Sequence, residues 1–118
     1  MVQLMLTILA RPGRASELGA ALRSLLLPTQ LDRGCRHGAL FAMVDQPETF
    51  FYLEEWEDRK DLERHIRTRR FTRLLSLMET ALDRPVLEFR FVSGIRGLDY
   101  VKEVQSRPDV SAGGPEME

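Results

Sequence analysis

Cysteine is almost absent from this chain of 118 residues, in which Cys35 is the only one. A single thiol leaves no disulfide within the chain and no cysteine-rich metal site. No activating partner stands beside Cys35 in the sequence, so it is a poor candidate for a catalytic nucleophile. Because chains without disulfides are typical of reducing compartments, we expect a cytoplasmic protein.

Long hydrophobic runs are also missing. The longest, residues 2–10 and 25–27, fall short of the roughly 18 apolar residues that span a bilayer. No basic segment precedes the first run, which disfavours a signal peptide. We therefore expect no membrane among the partners of this chain.

The chain has almost no net charge, −1 at pH 7, but its charges are unevenly distributed. Residues 59–73 carry seven Lys and Arg side chains against Asp61 and Glu63, directly after an acidic stretch. Clustered cations can neutralise phosphates. A nucleic-acid-binding domain, however, usually has a basic excess overall, and aromatic stacking residues are not interleaved with the cations here. A solvated helix face with ion pairs is the favoured interpretation, so we expect no nucleic acid as a partner.

Hydrophobic periodicity predicts the element order β, α, ββ, αα, β. Apolar or alternating runs indicate strands over residues 2–9, 35–44, 49–56 and 86–93. Apolar spacing of three and four residues indicates a helix that kinks or ends at Pro28, and a helix pair between the predicted N-cap Asp58 and Pro85. The pair is divided where its apolar stripe changes phase, around residues 68–70. This order predicts an α+β, ferredoxin-like fold in which helices cover one face of an antiparallel sheet.

The chain divides into three parts by composition. Residues 1–95 form the predicted α+β domain. Residues 96–105 are predicted to be a short helical extension, with Leu98, Val101 and Val104 on one side. Residues 106–118 have too little apolar surface to offset their ordering entropy, so we predict a disordered tail.

Both faces of the predicted strands carry apolar side chains. In the first strand Leu4 and Leu6 alternate with Met5 and Leu9, and the third strand has aromatic residues on both sides. One layer of helices can cover only one face, which would leave a large apolar patch on a monomer. Because a two-fold dimer that packs sheet against sheet buries both copies of the patch, we expect a homodimer.

Three segments carry a resemblance to a known family. They are RPGR at residues 11–14, LLLPTQLDRGC at residues 25–35 and, most specifically, FYLEEWEDRKDLERHIRTRRF at residues 51–71. Over residues 4–95 the chain resembles the antibiotic biosynthesis monooxygenase family, and within it the quinol monooxygenase branch. The resemblance implies a dimeric α/β-barrel. It also implies oxidation of a quinol-like or polycyclic aromatic substrate by molecular oxygen, with no cofactor and no metal.

The chemistry implied by this resemblance needs few groups. An apolar slot holds a flat substrate, a base forms the electron-rich phenolate, and a donor or cation stabilises the developing anion. The predicted catalytic residues are His65 as acid or base, with Tyr52 and Arg70 as donors to the substrate oxygen or the reduced oxygen species. The predicted walls of the slot are Trp56, Phe41 and Phe71.

The third strand places a phenol, a carboxylate and an indole in one row, at Tyr52, Glu54 and Trp56, about 7 Å apart. A carboxylate buried between aromatic rings must pair with a cation or take up a proton, and either state is useful in a site. We therefore predict Glu54 as a substrate-binding residue. The alternative is that Glu54 holds an arginine across the dimer while Trp56 belongs to the core.

Histidine offers two candidates for a base. His65 borders the apolar stripe of the helix pair, where it is either a base or a satisfied boundary residue. His37 is expected to share a strand face with Cys35 and Phe41, where it either lines a pocket or lies at the surface. Two histidines without a suitably spaced carboxylate do not make a zinc site.

Two other function classes remain open beside the monooxygenase. The family's frequent histidine before the terminal Phe is Arg70 here, and a tyrosine common in the second strand is replaced by Gly38. These departures favour a non-catalytic ligand-binding or interaction module on the same barrel. An isomerase or decyclase on that barrel is the third alternative.

Overall fold

The fold is built from one sheet and four helices in a computed structural model that describes residues 1–108. The strands are β1 Val2–Leu9, β2 Cys35–Ala42, β3 Thr49–Trp56 and β4 Val86–Phe91. The helices are α1 Ala15–Thr29, α2 Arg59–Ile66, α3 Arg69–Met78 and α4 Leu98–Ser106. The predicted order of strands and helices is confirmed, including the division of the helix pair.

The four strands form an antiparallel sheet in the order β2-β3-β1-β4. β1 is central and pairs with both β3 and β4, which explains why its eight residues are apolar enough to read as a covered strand. Helices α1, α2 and α3 lie on one face of this sheet. The predicted α+β, ferredoxin-like architecture is therefore confirmed.

The core lies between the sheet and the helices. Leu4, Leu6 and Ile8 of β1 are at most 1% exposed, and they belong to one cluster with Leu22 of α1 and Leu74 of α3. Burying each such side chain contributes roughly 1.5–3 kcal/mol. Alternation in β1 sends its even-numbered residues to the face covered by the helices and its odd-numbered residues to the opposite face.

Side-chain caps fix the break between α2 and α3. The Asp58 carboxylate accepts from the backbone N–H of Asp61 at 3.0 Å, as predicted. The Thr68 hydroxyl accepts from the N–H of Phe71 at 3.3 Å and starts α3. Because α2 ends at Ile66, His65 lies in its last turn, where it faces the sheet.

Three details differ from the sequence-based expectation. A register shift in β2 puts Cys35 opposite Trp56 and His37 opposite Glu55, so Cys35 and His37 lie on different faces rather than on one. β2 ends at Ala42 rather than at residue 44. α3 ends at Met78, well before Pro85, because the chain turns there so that the Leu82 N–H can donate to the Leu9 carbonyl at 2.9 Å.

The face of the sheet opposite the helices, here called the open face, is not covered by any element within residues 1–108. It carries half-buried Met5, Phe51 and Leu53, together with Phe41, which is 56% exposed. The helical extension is also unpacked, since none of the residues of α4 is buried. Of the predicted tail, residues 109–118 lie outside the described residues.

Candidate functional site

A buried carboxylate is the centre of the polar network under the helices. Glu54 of β3 is fully buried, with two neighbours on the same strand face donating to it. The Tyr52 hydroxyl donates to Oε2 at 2.6 Å, and the Trp56 indole N–H donates to Oε1 at 2.9 Å. The predicted row on one strand face is observed, and its two-residue spacing surrounds one acid with two donors, which the sequence did not predict.

His65 adds a third contact from the last turn of α2. Its Nε2 lies 3.2 Å from Oε1 of Glu54, and only 3% of the residue is exposed. The imidazole ring stacks on Trp56 with ring centres 4.7 Å apart, and it meets the Phe71 ring edge-on at 5.8 Å. These contacts hold the ring in one orientation.

The contact with Glu54 determines which imidazole nitrogen carries the proton. Carboxylate oxygens only accept, so in the neutral imidazole this contact favours the proton on Nε2, which leaves a lone pair on Nδ1. Nδ1 is buried and has no hydrogen-bond partner among the described residues. Its nearest charged neighbour is Asp32 Oδ2 at 3.8 Å, which is too long for a hydrogen bond. A buried acceptor without a donor is costly unless a ligand or water completes it.

Asp32 is held in place by Arg70. The Arg70 guanidinium donates to Oδ2 of Asp32 at 2.7 Å, although the two residues are 38 positions apart. This ion pair joins the loop after α1 to the first turn of α3. It leaves a carboxylate next to His65, where it can stabilise an imidazolium.

A pocket of about 330 Å³ opens beside His65. Its walls come from the loop after α1, the end of β3, α2 and the N-cap residue of α3. The lining residues are Asp32, Arg33, Trp56, Asp61, Arg64, His65 and Thr68. The volume lies at the lower end of the range found for small-molecule sites.

Gly34 shapes this pocket. Its φ of +88° belongs to the left-handed region, and a Cβ there would clash with Cγ of Asp61. The absence of a side chain lets Asp61 pack directly on the loop, from which position Asp61 accepts from Arg64 at 2.9 Å. The backbone N–H of Glu57 also donates to the Gly34 carbonyl at 2.7 Å. The loop that carries Asp32 and Arg33 is thus fixed at both sides of the pocket.

Two groups near the network hold their protons firmly. Burial, followed by the charge of Glu54, raises the pKa of the Tyr52 phenol far above its usual value, so Tyr52 remains a donor. Burial, again followed by the Glu54 charge, raises the pKa of the Cys35 thiol from 9.0 to about 11. Cys35 is therefore a neutral thiol near pH 7, which agrees with its poor prospects as a nucleophile.

The structure brings some of the predicted site residues together and separates others. His65 and Trp56 line the pocket, while Tyr52 and Glu54 lie behind His65 in the buried network. The remaining predicted residues lie as follows: Arg70 reaches the site through Asp32, Phe71 packs behind His65, and Phe41 lies on the open face. His37 is exposed on that open face as well.

Asp32 and Arg33 line the pocket, although the sequence did not predict them as site residues. Both lie in the segment LLLPTQLDRGC, which was singled out only for its resemblance. The signal that could have found them is the Asp-Arg-Gly run directly before a strand, because a glycine after two charged residues fixes a turn that can present them.

Residues 1–108 lack two features, a cluster of metal-binding side chains and a membrane-spanning helix. The described part of the chain holds no group of three or more His, Cys, Asp and Glu side chains placed to bind a metal ion. Within the same part, every helix is too short or too polar to traverse a lipid bilayer.

The fold and the site together define a small α+β protein in which a buried histidine with an unpartnered ring nitrogen lines a pocket. Residues 1–75 match the sequence model of the family described as antibiotic biosynthesis monooxygenase, which is more than half of the chain. The chain therefore belongs to the antibiotic biosynthesis monooxygenase family. A search of proteins with curated functions gave no significant match.

Solved structures share the fold of this chain. PA3566 from Pseudomonas aeruginosa is 30% identical, with a TM-score of 0.68, over 79% of this chain and 94% of that one. A structure named antibiotic biosynthesis monooxygenase is 24% identical, with a TM-score of 0.69, over 80% of this chain and 100% of that one. Rv0793 from Mycobacterium tuberculosis is 20% identical, with a TM-score of 0.72, over 81% of this chain and 98% of that one. The last two likenesses concern the fold alone.

Proposed function

We propose that this chain is a cofactor-independent monooxygenase that oxidises a quinol-like or polycyclic aromatic substrate with molecular oxygen. The observation that carries the proposal is that His65 lines a pocket together with Trp56, while its buried Nδ1 has no hydrogen-bond partner among residues 1–108. A general base must lie within hydrogen-bond reach of the proton that it removes. A phenolic hydroxyl beside the Trp56 ring would complete the hydrogen bonding of this nitrogen.

The first step moves one proton. The substrate O–H transfers its proton to Nδ1, which leaves an electron-rich phenolate and an imidazolium. Glu54 contacts the imidazolium at Nε2 and Asp32 lies near Nδ1, so two carboxylates stabilise the charge that develops. Burial strengthens the interaction with Glu54, since little water screens it.

The second step uses the substrate as the reductant of oxygen. The phenolate transfers an electron to oxygen, and the resulting radical pair combines to form a bond between a ring carbon and a peroxide. The imidazolium of His65 protonates the distal peroxide oxygen. The neutral imidazole then takes the proton of that ring carbon while the O–O bond breaks, which gives a quinone carbonyl and a hydroxide. The imidazolium protonates the hydroxide, so one phenol and one oxygen molecule become one quinone and one water.

We further propose that the active unit is a homodimer in the cytoplasm. Apolar side chains on the open face support pairing of two copies through their sheets. The lone thiol of Cys35, which remains protonated near pH 7, fits a reducing compartment.

Oxygen uptake tests the enzymatic proposal. Purified protein is mixed with reduced naphthoquinones, and oxygen consumption is compared with the autoxidation rate of the same solution. We expect consumption above that rate, a loss of the excess in His65→Ala, and no loss in His37→Ala, since His37 is exposed on the open face. Wild-type consumption equal to autoxidation would overturn the proposal.

A non-catalytic binding module is the second candidate. Two predicted donors are already engaged within the chain, because Tyr52 donates to Glu54 and Arg70 donates to Asp32. Of the three predicted catalytic residues, only His65 lines the pocket. Binding of an aromatic ligand without any oxygen uptake would favour this candidate over the enzyme.

A further inference from the structure

One charged residue on the pocket wall lacks an ion-pair partner within residues 1–108. Asp32 is paired with Arg70 at 2.7 Å, and Asp61 is paired with Arg64 at 2.9 Å. Arg33 also lines the pocket, and it forms no ion pair or side-chain hydrogen bond with any of residues 1–108. Arg33 is therefore a cation on the pocket wall that has no partner within residues 1–108, and it stands in the same pocket as the imidazole of His65.

We propose that the substrate is an aromatic acid, whose hydroxyl binds His65 and whose carboxylate binds the guanidinium of Arg33. The proposal rests on the proposed function, because it names the substrate class of the same site. The hydroxyl needs a base, and the carboxylate needs a cation that has no internal partner. Residues 33 and 65 provide these two groups in one pocket.

The guanidinium of Arg33 favours a carboxylate over a phosphate as the bound anion. A guanidinium presents two parallel N–H donors that match the two oxygens of a carboxylate. A dianionic phosphate would place a second negative charge near Asp32 and Asp61, with only one unpaired cation, Arg33, to balance it. A single carboxylate balances Arg33 without that excess.

The position of Arg33 is determined by its loop. Gly34 follows it with a positive φ and lies against Asp61, while Asp32 precedes it and is held by Arg70. Both neighbours of Arg33 in the sequence are therefore anchored. The Arg33 side chain is exposed and free to close on a ligand that enters beside Trp56.

The test separates binding from turnover. Dihydroxynaphthoate and the same quinol without its carboxylate, dihydroxynaphthalene, are titrated under nitrogen by isothermal calorimetry. We expect the carboxylate to strengthen binding to the wild-type protein by about tenfold or more, as is typical of a hydrogen bond to a charged group. In Arg33→Gln the two ligands should bind equally, and Arg33→Lys should recover part of the preference because the charge returns.

Arg36→Gln is the matched control. Arg36 lies close by in the sequence, but it contacts Glu57 at 3.6 Å and does not line this pocket. We expect this variant to keep the wild-type preference. Equal binding of the two ligands by the wild-type protein, no binding of either, or an unchanged preference in Arg33→Gln would overturn the inference.

Oxygen uptake by the same samples distinguishes the two proposals. A carboxylate preference that depends on Arg33, without oxygen consumption above autoxidation, supports the ligand class and overturns the monooxygenase. Consumption that depends on His65 and shows no carboxylate preference does the opposite. The two proposals can therefore fail separately.

Discussion

The imidazole of His65 and the carboxylate of Glu54 form one buried unit, with Nε2 3.2 Å from Oε1. In the neutral imidazole this contact favours the proton on Nε2 and leaves a lone pair on the buried Nδ1. Glu54 does not line the pocket itself. It is therefore a positioning residue, which affects a substrate through His65 and not by direct contact.

Glu54→Gln should slow turnover without weakening substrate binding. The substitution removes the charge that stabilises the imidazolium, so we expect kcat for oxygen uptake to fall by about 100-fold or more. KM should change little, because the pocket walls are untouched. Steady-state oxygen uptake over a range of quinol concentrations measures both values.

A purely structural role of Glu54 would give a different result. The side-chain amide introduced by Glu54→Gln would still accept from one neighbour but would face another with its own N–H groups, at a cost of about 1–3 kcal/mol in stability. Thermal unfolding reports that cost separately. A folded Glu54→Gln protein with wild-type kcat would contradict the positioning role.

Local patterns in the sequence were sufficient to predict most of the fold and the relative placement of Glu54, Trp56 and His65. Alternation in β3 predicted that Glu54 and Trp56 share a face, and the phase change near Thr68 predicted the break that places His65. The shift of register in β2 was not predictable, because it depends on pairing between Cys35 and Trp56 rather than on local alternation. Asp32 was missed for the same reason, since its partner Arg70 is distant in the chain.

Tyr52→Phe should destabilise the protein. The change removes the hydroxyl that donates to Glu54 at 2.6 Å, leaving one buried carboxylate oxygen with no donor from β3. We expect the free energy of unfolding to fall by about 1–3 kcal/mol. Urea denaturation followed by circular dichroism measures this loss.

The other tyrosine of the chain provides the control for that measurement. Tyr100 is 49% exposed on α4 and donates no side-chain hydrogen bond among the described residues. Tyr100→Phe should therefore leave the unfolding free energy within about 0.5 kcal/mol of wild type. Equal losses in Tyr52→Phe and Tyr100→Phe would show that the buried hydroxyl contributes nothing.

The reactivity of Cys35 should depend on pH in a shifted range. The pKa of its thiol is raised from 9.0 to about 11 in the folded chain, and the thiolate is the reactive form. Labelling by a chromogenic disulfide reagent should therefore remain slow near pH 9 and rise toward about pH 11. The urea-unfolded chain should show its rise near pH 9, and identical profiles would contradict the shift.

The same shift has a consequence for stability. Because the folded chain holds the thiol proton more tightly than the unfolded chain, the contribution of Cys35 is complete below about pH 9. It is lost as the pH rises from 9 through about 11. Cys35→Ala should lose less stability than the wild type over that interval, as measured by urea denaturation at each pH.

Gly34→Ala should destabilise the loop beside the pocket more than Gly13→Ala does its own turn. Both glycines have positive φ, +88° and +78°, but only at Gly34 would an added Cβ clash with a neighbour, the side chain of Asp61. Gly13→Ala therefore measures the backbone strain alone, about 1 kcal/mol. The excess loss in Gly34→Ala, followed by urea denaturation, measures the displacement of Asp61; equal losses would contradict the close contact.

Pairing of two chains through the open face should depend on Leu53. This side chain is half-buried in the middle strand of the exposed apolar surface, between Met5 on β1 and Ala39 on β2. In a two-fold dimer each copy contributes the same face, so Leu53→Glu introduces two like charges into one apolar interface. We expect the wild type to sediment as two chains at micromolar concentration and Leu53→Glu as one.

Val44→Glu is the control, because Val44 is 96% exposed beyond the end of β2, and this variant should remain a dimer. A wild-type protein that sediments as a single chain would contradict pairing altogether, whereas a dimeric Leu53→Glu would place the interface on another surface.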